Sequence, residues 1–347
     1  MSELSGYSVQ FLVIGCYTPE TGGAGVGLTV AARMPGTGAL RVVGEPTPTP
    51  SPSFVASHPT RPVVYAANEL TDGTVSAFAM SEEGALTPLG TWPTGGAEPC
   101  HISVEPRGRH LLVANYESGS VATFTLDEDG IPTHRSALVA HTGAGPHPER
   151  QLGPHAHTVS AASDGVLAVD LGVDTVFWYP LDGATGALGP GEVRAALPPG
   201  TGPRHLATST RDAYLVGELA ANLTTFRTGP HGWEEAGTAA TSTEPDALPS
   251  EIAISADGRF LYVGNRGPHT IAVFSLADDL PALVGEVPTG GAWPRHFALV
   301  DDYLYVANQL SHTVVVFRID PATGIPVPTG DVLATPSPTC VLPWTQK

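Results

Sequence analysis

The sequence predicts an all-β fold in which one unit is repeated around a ring. Three observations predict it: a recurring strand pattern, the spacing of the copies, and two chain ends that complete each other. The clearest copy runs from Cys100 to Leu126. A short alternating strand, His101 to Val104, enters a turn at Pro106 to Arg109. An apolar strand, Leu111 to Ala114, meets a polar corner at Asn115 to Gly119, and a third strand runs from Val121 to Leu126. Period-2 runs rich in β-branched residues, broken by Gly, Pro and Asn, read as strands joined by tight turns. The pattern returns at Ser53, His157, His205, Glu251 and His296, with corners at Asn68, Asp170, Glu218, Asn265 and Asn308. Successive corners lie 43 to 55 residues apart. A period of roughly 40–50 residues with four short strands per unit predicts a β-propeller.

The N-terminus begins mid-unit. Val9 to Cys16 has the form of a second strand, Gly25 to Ala31 of a third and Arg41 to Gly44 of a fourth. The missing first strand stands at the other end, where Ser337 to Leu342 repeats the form of Ser51 to Ala56. If this C-terminal strand pairs into the N-terminal blade, seven four-stranded antiparallel blades close into one domain spanning 1–347. Closure also predicts that Cys340 and Cys16 lie near each other as buried thiols. The fourth strands are weaker in sequence (Leu86 to Trp92, Leu188 to Val193, Ala282 to Val287, Ile325 to Val332), as suits outer edges where proline is tolerated. One connection is irregular: Val139 to His157 is long, polar and rich in Pro and Gly, a pattern that marks functional loops.

Composition narrows the chemistry. The formal net charge of −18 argues against binding a phosphate backbone or an anionic membrane, so neither nucleic acid nor membrane is expected as a partner. Lys347 is the one lysine, so Schiff-base chemistry and a Walker-type phosphate loop lack their residue. Three cysteines are too few for a disulfide scaffold, and there is neither a basic start followed by an apolar stretch nor a run of membrane length. A cytoplasmic protein, monomer or homo-oligomer, is the expectation. The 40 Gly and 34 Pro punctuate apolar strands and read as turns.

Propeller geometry decides which residues meet. The starts of the inner strands and the ends of the second strands share one rim of the central channel. The first set is Phe54, His101, His157, Arg204-His205, Glu251 and Arg295-His296. The second is Asn68-Glu69, Asn115-Tyr116, Asp170, Glu218, Asn265-Arg266 and Asn308-Gln309. Arg204, Arg266 and Arg295 come from distant segments yet face one mouth. In so acidic a chain they point to an anionic ligand, a carboxylate or phosphate ester, which guanidinium pairs with bidentately.

These segments resemble a known family across essentially the whole chain. Pro148 to Val159 (PERQLGPHAHTV) is the most specific, supported by Glu98 to Ser103, Gly202 to Leu206, Gly264 to Gly267 and Pro294 to Phe297. The chain resembles the seven-bladed propeller lactonases, which include propeller-type 6-phosphogluconolactonases and fungal carboxy-muconate lactonising enzymes. The resemblance implies hydrolysis of a small anionic sugar lactone without a cofactor or a metal. It places the catalytic His on His157, one Arg on Arg204 and the Glu on Glu218, with the second Arg on Arg266 and Arg295 as its rival; His157 or Glu218 is expected to activate the attacking water, and Arg204 and Arg266 to hold the anion and the oxyanion. His155 competes with His157: the two are expected to point to opposite faces of the strand, so that only one lines the channel. Arg295, His155, His101, Glu69 and Tyr116 are expected to contact the substrate. The family's usual turn is missing at Ala161 to Gly165 and shortened at Ser209 to Asp212, both at the far rim.

Other readings compete. His141, His147, His155 and His157 could supply metal ligands, but three lie in an irregular loop without fixed spacing. His101, His205 and His296 recur at equivalent strand starts, which favours a repeated structural role, and Glu251 has a blade-joining role open to it. Gly23 to Gly27 lacks the spacing and the helix of a dinucleotide fingerprint. Two alternatives to hydrolysis stand: an intramolecular lyase that forms a lactone from a carboxy-muconate-type diacid, and a non-catalytic propeller that binds a partner on its rim.

Overall fold

The computed structural model describes residues 11–162, 165–229 and 232–345. Val9 and Gln10 of the first predicted strand, Ser163 and Asp164 of one departing turn, and Lys347 lie outside the described residues. Seven antiparallel sheets follow one another along the chain. Blade 1 comprises Phe11–Cys16, Gly27–Arg33 and Leu40–Val42, with Thr47–Pro48 also paired to Gly27–Arg33. Its innermost strand is Pro338–Trp344, which runs antiparallel to Phe11–Cys16 and closes the ring as predicted. Blades 2 to 7 open on the inner strands Pro52–Ser57, Pro99–Val104, Ala156–Ala161, Pro203–Thr208, Leu248–Ile254 and Pro294–Val300. Each inner strand packs beside the next, and Pro338–Trp344 packs between those of blades 7 and 2.

Burial follows position. Second strands such as Val63–Asn68, His110–Asn115 and Tyr303–Asn308 are buried at every residue. They are covered by a strand on each side and by a blade on each face. Outer strands such as Leu86–Pro93 and Pro326–Ala334 are exposed along half or more of their length. The core is divided among the seven blade interfaces. One cluster joins Tyr65 and Val75 of blade 2 to Leu111 and Phe124 of blade 3; another joins Leu12 and Ile14 of blade 1 to Tyr305 and Val316 of blade 7. In blades 2, 6 and 7 a buried tyrosine of the second strand reaches a far-rim turn of the next blade: Tyr65 donates to the Gly130 carbonyl, Tyr262 to that of Gly324 at 2.9 Å and Tyr305 to that of Gly38 at 2.9 Å.

Two local expectations change. The fourth strand of blade 4 is Glu192–Ala196 rather than Leu188 to Val193, with Leu188 making only an isolated bridge to Leu181. Cys340 faces Gly15, not Cys16, across the closing strands. The two thiols are therefore neighbours offset by one residue; both are buried and free, and Cys16 donates to the Gly27 carbonyl at 3.0 Å.

Candidate active site

Every inner strand carries an irregularity at its channel-mouth end. Pairing slips between Pro52 and Phe54, between Pro99 and His101, between Ala156 and Thr158, and correspondingly in the other four blades. One extra residue stands in each slip: Ser53, Cys100, His157, Arg204, Ser250, Arg295 and Thr339. A β-bulge re-aims the side chain it carries, and bulges collect at rims and sites. Proline fits the strand start before six of these bulges, where the ladder needs no donor. The next residue inward forms a deeper layer, in which Phe54 packs on His101 at 4.2 Å and on His296 at 5.4 Å, and His101 on His205 at 5.4 Å. Glu251 joins blades across this layer, bonded to His205 Nδ1 at 2.9 Å and His296 Nε2 at 3.2 Å. Burial pushes its carboxyl up.

The corner asparagines are structural. Asn68 donates to Pro50, Asn265 to Thr241 and Asn308 to Thr289, each to a backbone carbonyl that leads into the blade. The residue after the corner turns to the mouth: Glu69, Tyr116, Glu218, Arg266 and, in blade 1, Tyr17. In blade 5 the register makes Gly217 the corner, one residue before the predicted Glu218.

One wall of the mouth is cationic. Glu218 is 2 % exposed and meets three guanidinium groups: Arg204 Nε at 2.9 Å and Arg266 Nη2 at 2.7 Å on one oxygen, and Arg150 Nη2 at 2.8 Å on the other. Burial alone would push this carboxyl up, but Arg266, Arg204 and Arg150 outweigh it and hold it well below the ordinary carboxylate range. Arg204 also donates to the Ser250 carbonyl, and Arg266 to Leu248 and Pro249 at 3.2 Å each. Burial, with Arg266 beside it, lowers Arg204 to about 10. His157 stands next to this group, edge-on to Tyr116 at 5.7 Å and to His205 at 5.1 Å. Burial first, then Arg204, His205, Arg295 and Arg266, holds its imidazole well below the ordinary value. It is therefore neutral at pH 7, with a buried Nδ1 that makes no hydrogen bond among the described residues.

The opposite wall pairs Tyr17, Glu69 and Arg295. The Tyr17 hydroxyl donates to Glu69 Oε1 at 2.6 Å and accepts from Arg295, whose guanidinium lies 3.8 Å from the same carboxylate oxygen and 4.7 Å from the Tyr17 ring centre. Glu69 Oε2, Ser53 Oγ and Thr339 Oγ1 are buried here without a hydrogen bond among the described residues. Glu69, Ser53, Thr339, Arg204 and Arg295 line one narrow cavity at the hub.

The structure thus brings His157, Arg204, Glu218 and Arg266 together, and places Arg295 and Glu69 across from them. His155 does not take the face opposite to His157, because residues two apart on a strand share a face. His155 stacks on Tyr116 at 4.5 Å while His157 meets the edge of the same ring. His101 lies one layer deeper, in the floor. Two histidines of the suspected metal group have other partners: His141 Nδ1 bonds Asp170 at 2.5 Å, and His147 Nδ1 accepts from the Glu149 and Arg150 amides. Among the described residues no three His, Cys, Asp or Glu side chains gather as a metal cluster. Sequence reasoning missed two site residues. Arg150 sits inside the PERQ segment that carried the resemblance. Tyr17 would have emerged from aligning Cys16 with Asn68 and Asn115.

The model of the family described as "Lactonase, 7-bladed beta-propeller" matches residues 11–343. The chain is a member of that family. This lactonase-family propeller is 34% identical over 308 residues to a 6-phosphogluconolactonase of Bacillus subtilis, covering 84% of this chain and 86% of that protein. It is 29% identical to a 6-phosphogluconolactonase of Formosa agariphila, over 90% of this chain and 93% of that one. Among solved structures, the periplasmic gluconolactonase of Pseudomonas aeruginosa superposes with a TM-score of 0.87 at 28% identity, covering 96% of this lactonase-family chain and 98% of that one. Among its described residues, no helix is long and apolar enough to cross a membrane.

Proposed function

We propose that this propeller hydrolyses a phosphorylated sugar lactone, as its relatives named 6-phosphogluconolactonase do by name, with residues 1–347 acting as one domain. The observation that carries this reading is a buried imidazole, His157, whose Nδ1 has no hydrogen-bond partner among the described residues, set beside buried arginines at the mouth of the channel. Water attacks the lactone carbonyl as His157 takes one of its protons. Arg204 and Arg266 face the carbonyl oxygen and stabilise the charge that develops on it; loss of one such donor typically costs about 10²–10³ in rate. As the ring C–O bond breaks, His157 returns its proton to the departing ring oxygen, leaving an open-chain hydroxy acid. Glu218 holds the arginines in place; its oxygens are already occupied by guanidinium groups, so it is poorly suited to accept a proton. Arg295, Glu69, Tyr116 and His155 border the substrate, and His101 sets the depth of the floor.

The test is acid release from δ-6-phosphogluconolactone above the spontaneous rate, with Arg204→Met and His157→Gln each abolishing the excess. Because the His157 proton affinity is depressed, the plateau of kcat/KM should extend below pH 6.5. Activity that survives both substitutions refutes the site. Turnover of a carboxy-muconate with none of the lactone replaces hydrolysis with the ring-forming reaction.

A further inference from the structure

We propose that Arg150 selects phosphorylated over unphosphorylated lactones, by receiving the phosphate at the outer edge of the mouth. This rests on the hydrolytic reading above.

Three arginines share Glu218, so one wall of the mouth carries two positive charges more than that carboxylate neutralises. The three are not equivalent. The Arg204 and Arg266 side chains are 4% and 7% exposed, and each spends donors on backbone carbonyls that fix it deep in the wall. The Arg150 side chain is 37% exposed. Among the described residues its guanidinium bonds side-chain atoms: the Tyr116 hydroxyl from Nε at 3.3 Å and from Nη2 at 3.0 Å, and Glu218 from Nη2 at 2.8 Å.

Its loop is nevertheless anchored. Gln151 is fully buried, donates from Nε2 to the Leu171 carbonyl at 2.8 Å, and exchanges backbone bonds with Gly145 and His147. Arg150 therefore holds a fixed place with donors still facing solvent. A lactone whose carbonyl reaches His157 and Arg204 leaves its far substituent at the rim, where Arg150 stands. A phosphate dianion there gains a planar fork of donors and part of the uncompensated charge. A plain hydroxymethyl group gains neither.

The experiment compares kcat/KM for δ-6-phosphogluconolactone and δ-gluconolactone in wild type, Arg150→Met and Arg150→Lys. Wild type should prefer the phosphorylated lactone. Arg150→Met should reduce that preference at least tenfold, mainly through KM, and Arg150→Lys should restore part of it. A loss of the same size on both lactones would mean that Arg150 acts only by positioning Glu218 and would overturn the proposal, as would a wild type without preference. A second arm uses calorimetry with 6-phosphogluconate and gluconate. Wild type should bind the phosphorylated acid more tightly, and Arg150→Met should collapse the gap. A chain that hydrolyses neither lactone sinks the hydrolytic reading, while this arm still decides the role of Arg150: equal binding of both acids by wild type overturns it.

Discussion

The two walls of the channel mouth use the same three residue types in different proportions. On one side Tyr116 and Glu218 serve three arginines; on the other, Tyr17 and Glu69 serve Arg295 alone. The first wall carries surplus positive charge and a carboxylate with both oxygens occupied. The second is balanced, and one carboxylate oxygen is free of hydrogen bonds among the described residues. The number of guanidinium partners, more than the residue types themselves, makes one wall suited to an anion and the other to neutral donors such as sugar hydroxyls.

Removing each carboxylate in turn is the strongest way to break this comparison. Glu218→Gln leaves three guanidinium groups around an uncharged amide, and opening a buried ion cluster costs about 3–5 kcal/mol. Glu69→Gln leaves one partly exposed arginine and should cost about 1–2 kcal/mol. Urea unfolding of both variants checks the ratio; equal midpoints would make the walls electrostatically alike. Acid sharpens the contrast next. His157 has its folded-state proton affinity depressed by burial and by the arginines. Its contribution to stability is therefore complete above pH 6.5 and falls as the pH drops below it, because the unfolded chain binds a proton that the native chain does not. The slope is about 1.4 kcal/mol per pH unit. His157→Gln should flatten the fall in unfolding free energy between pH 6.5 and 5.5 by about 1 kcal/mol, read from urea unfolding at each pH, and an unchanged slope would contradict the charge assigned to this wall. The smallest effect is Tyr17→Phe, which removes one hydroxyl bridge on the balanced wall at about 1 kcal/mol.

The ring was legible because each of its parts leaves a local mark: strands through alternation, corners through Asn and Asp, closure through the likeness of Ser337–Leu342 to Ser51–Ala56. The site was legible in part. His157, Arg204 and Arg266 stand at repeat positions, so topology could bring them together. The bulges left no such mark. A slipped residue is a matter of pairing between strands; the placing of His155 opposite His157 fails on alternation itself, since residues two apart share a face. Arg150 comes from a loop that follows no repeat, so periodicity gave it no address. The one-residue offset at Gly217 and Glu218 has a similar origin: glycine replaces the corner asparagine, which leaves the polar mark of the corner on the residue after it.

Thr339 lies on the seventh inner strand, which belongs to the blade that the chain began. During synthesis six walls of the hub can assemble while the seventh has yet to be made. The cavity bounded by Ser53, Glu69, Arg295 and Thr339 therefore stays open on one side until Pro338–Trp344 emerges and docks. A nascent molecule released before that point would carry every arginine of the mouth and lack the strand that encloses them.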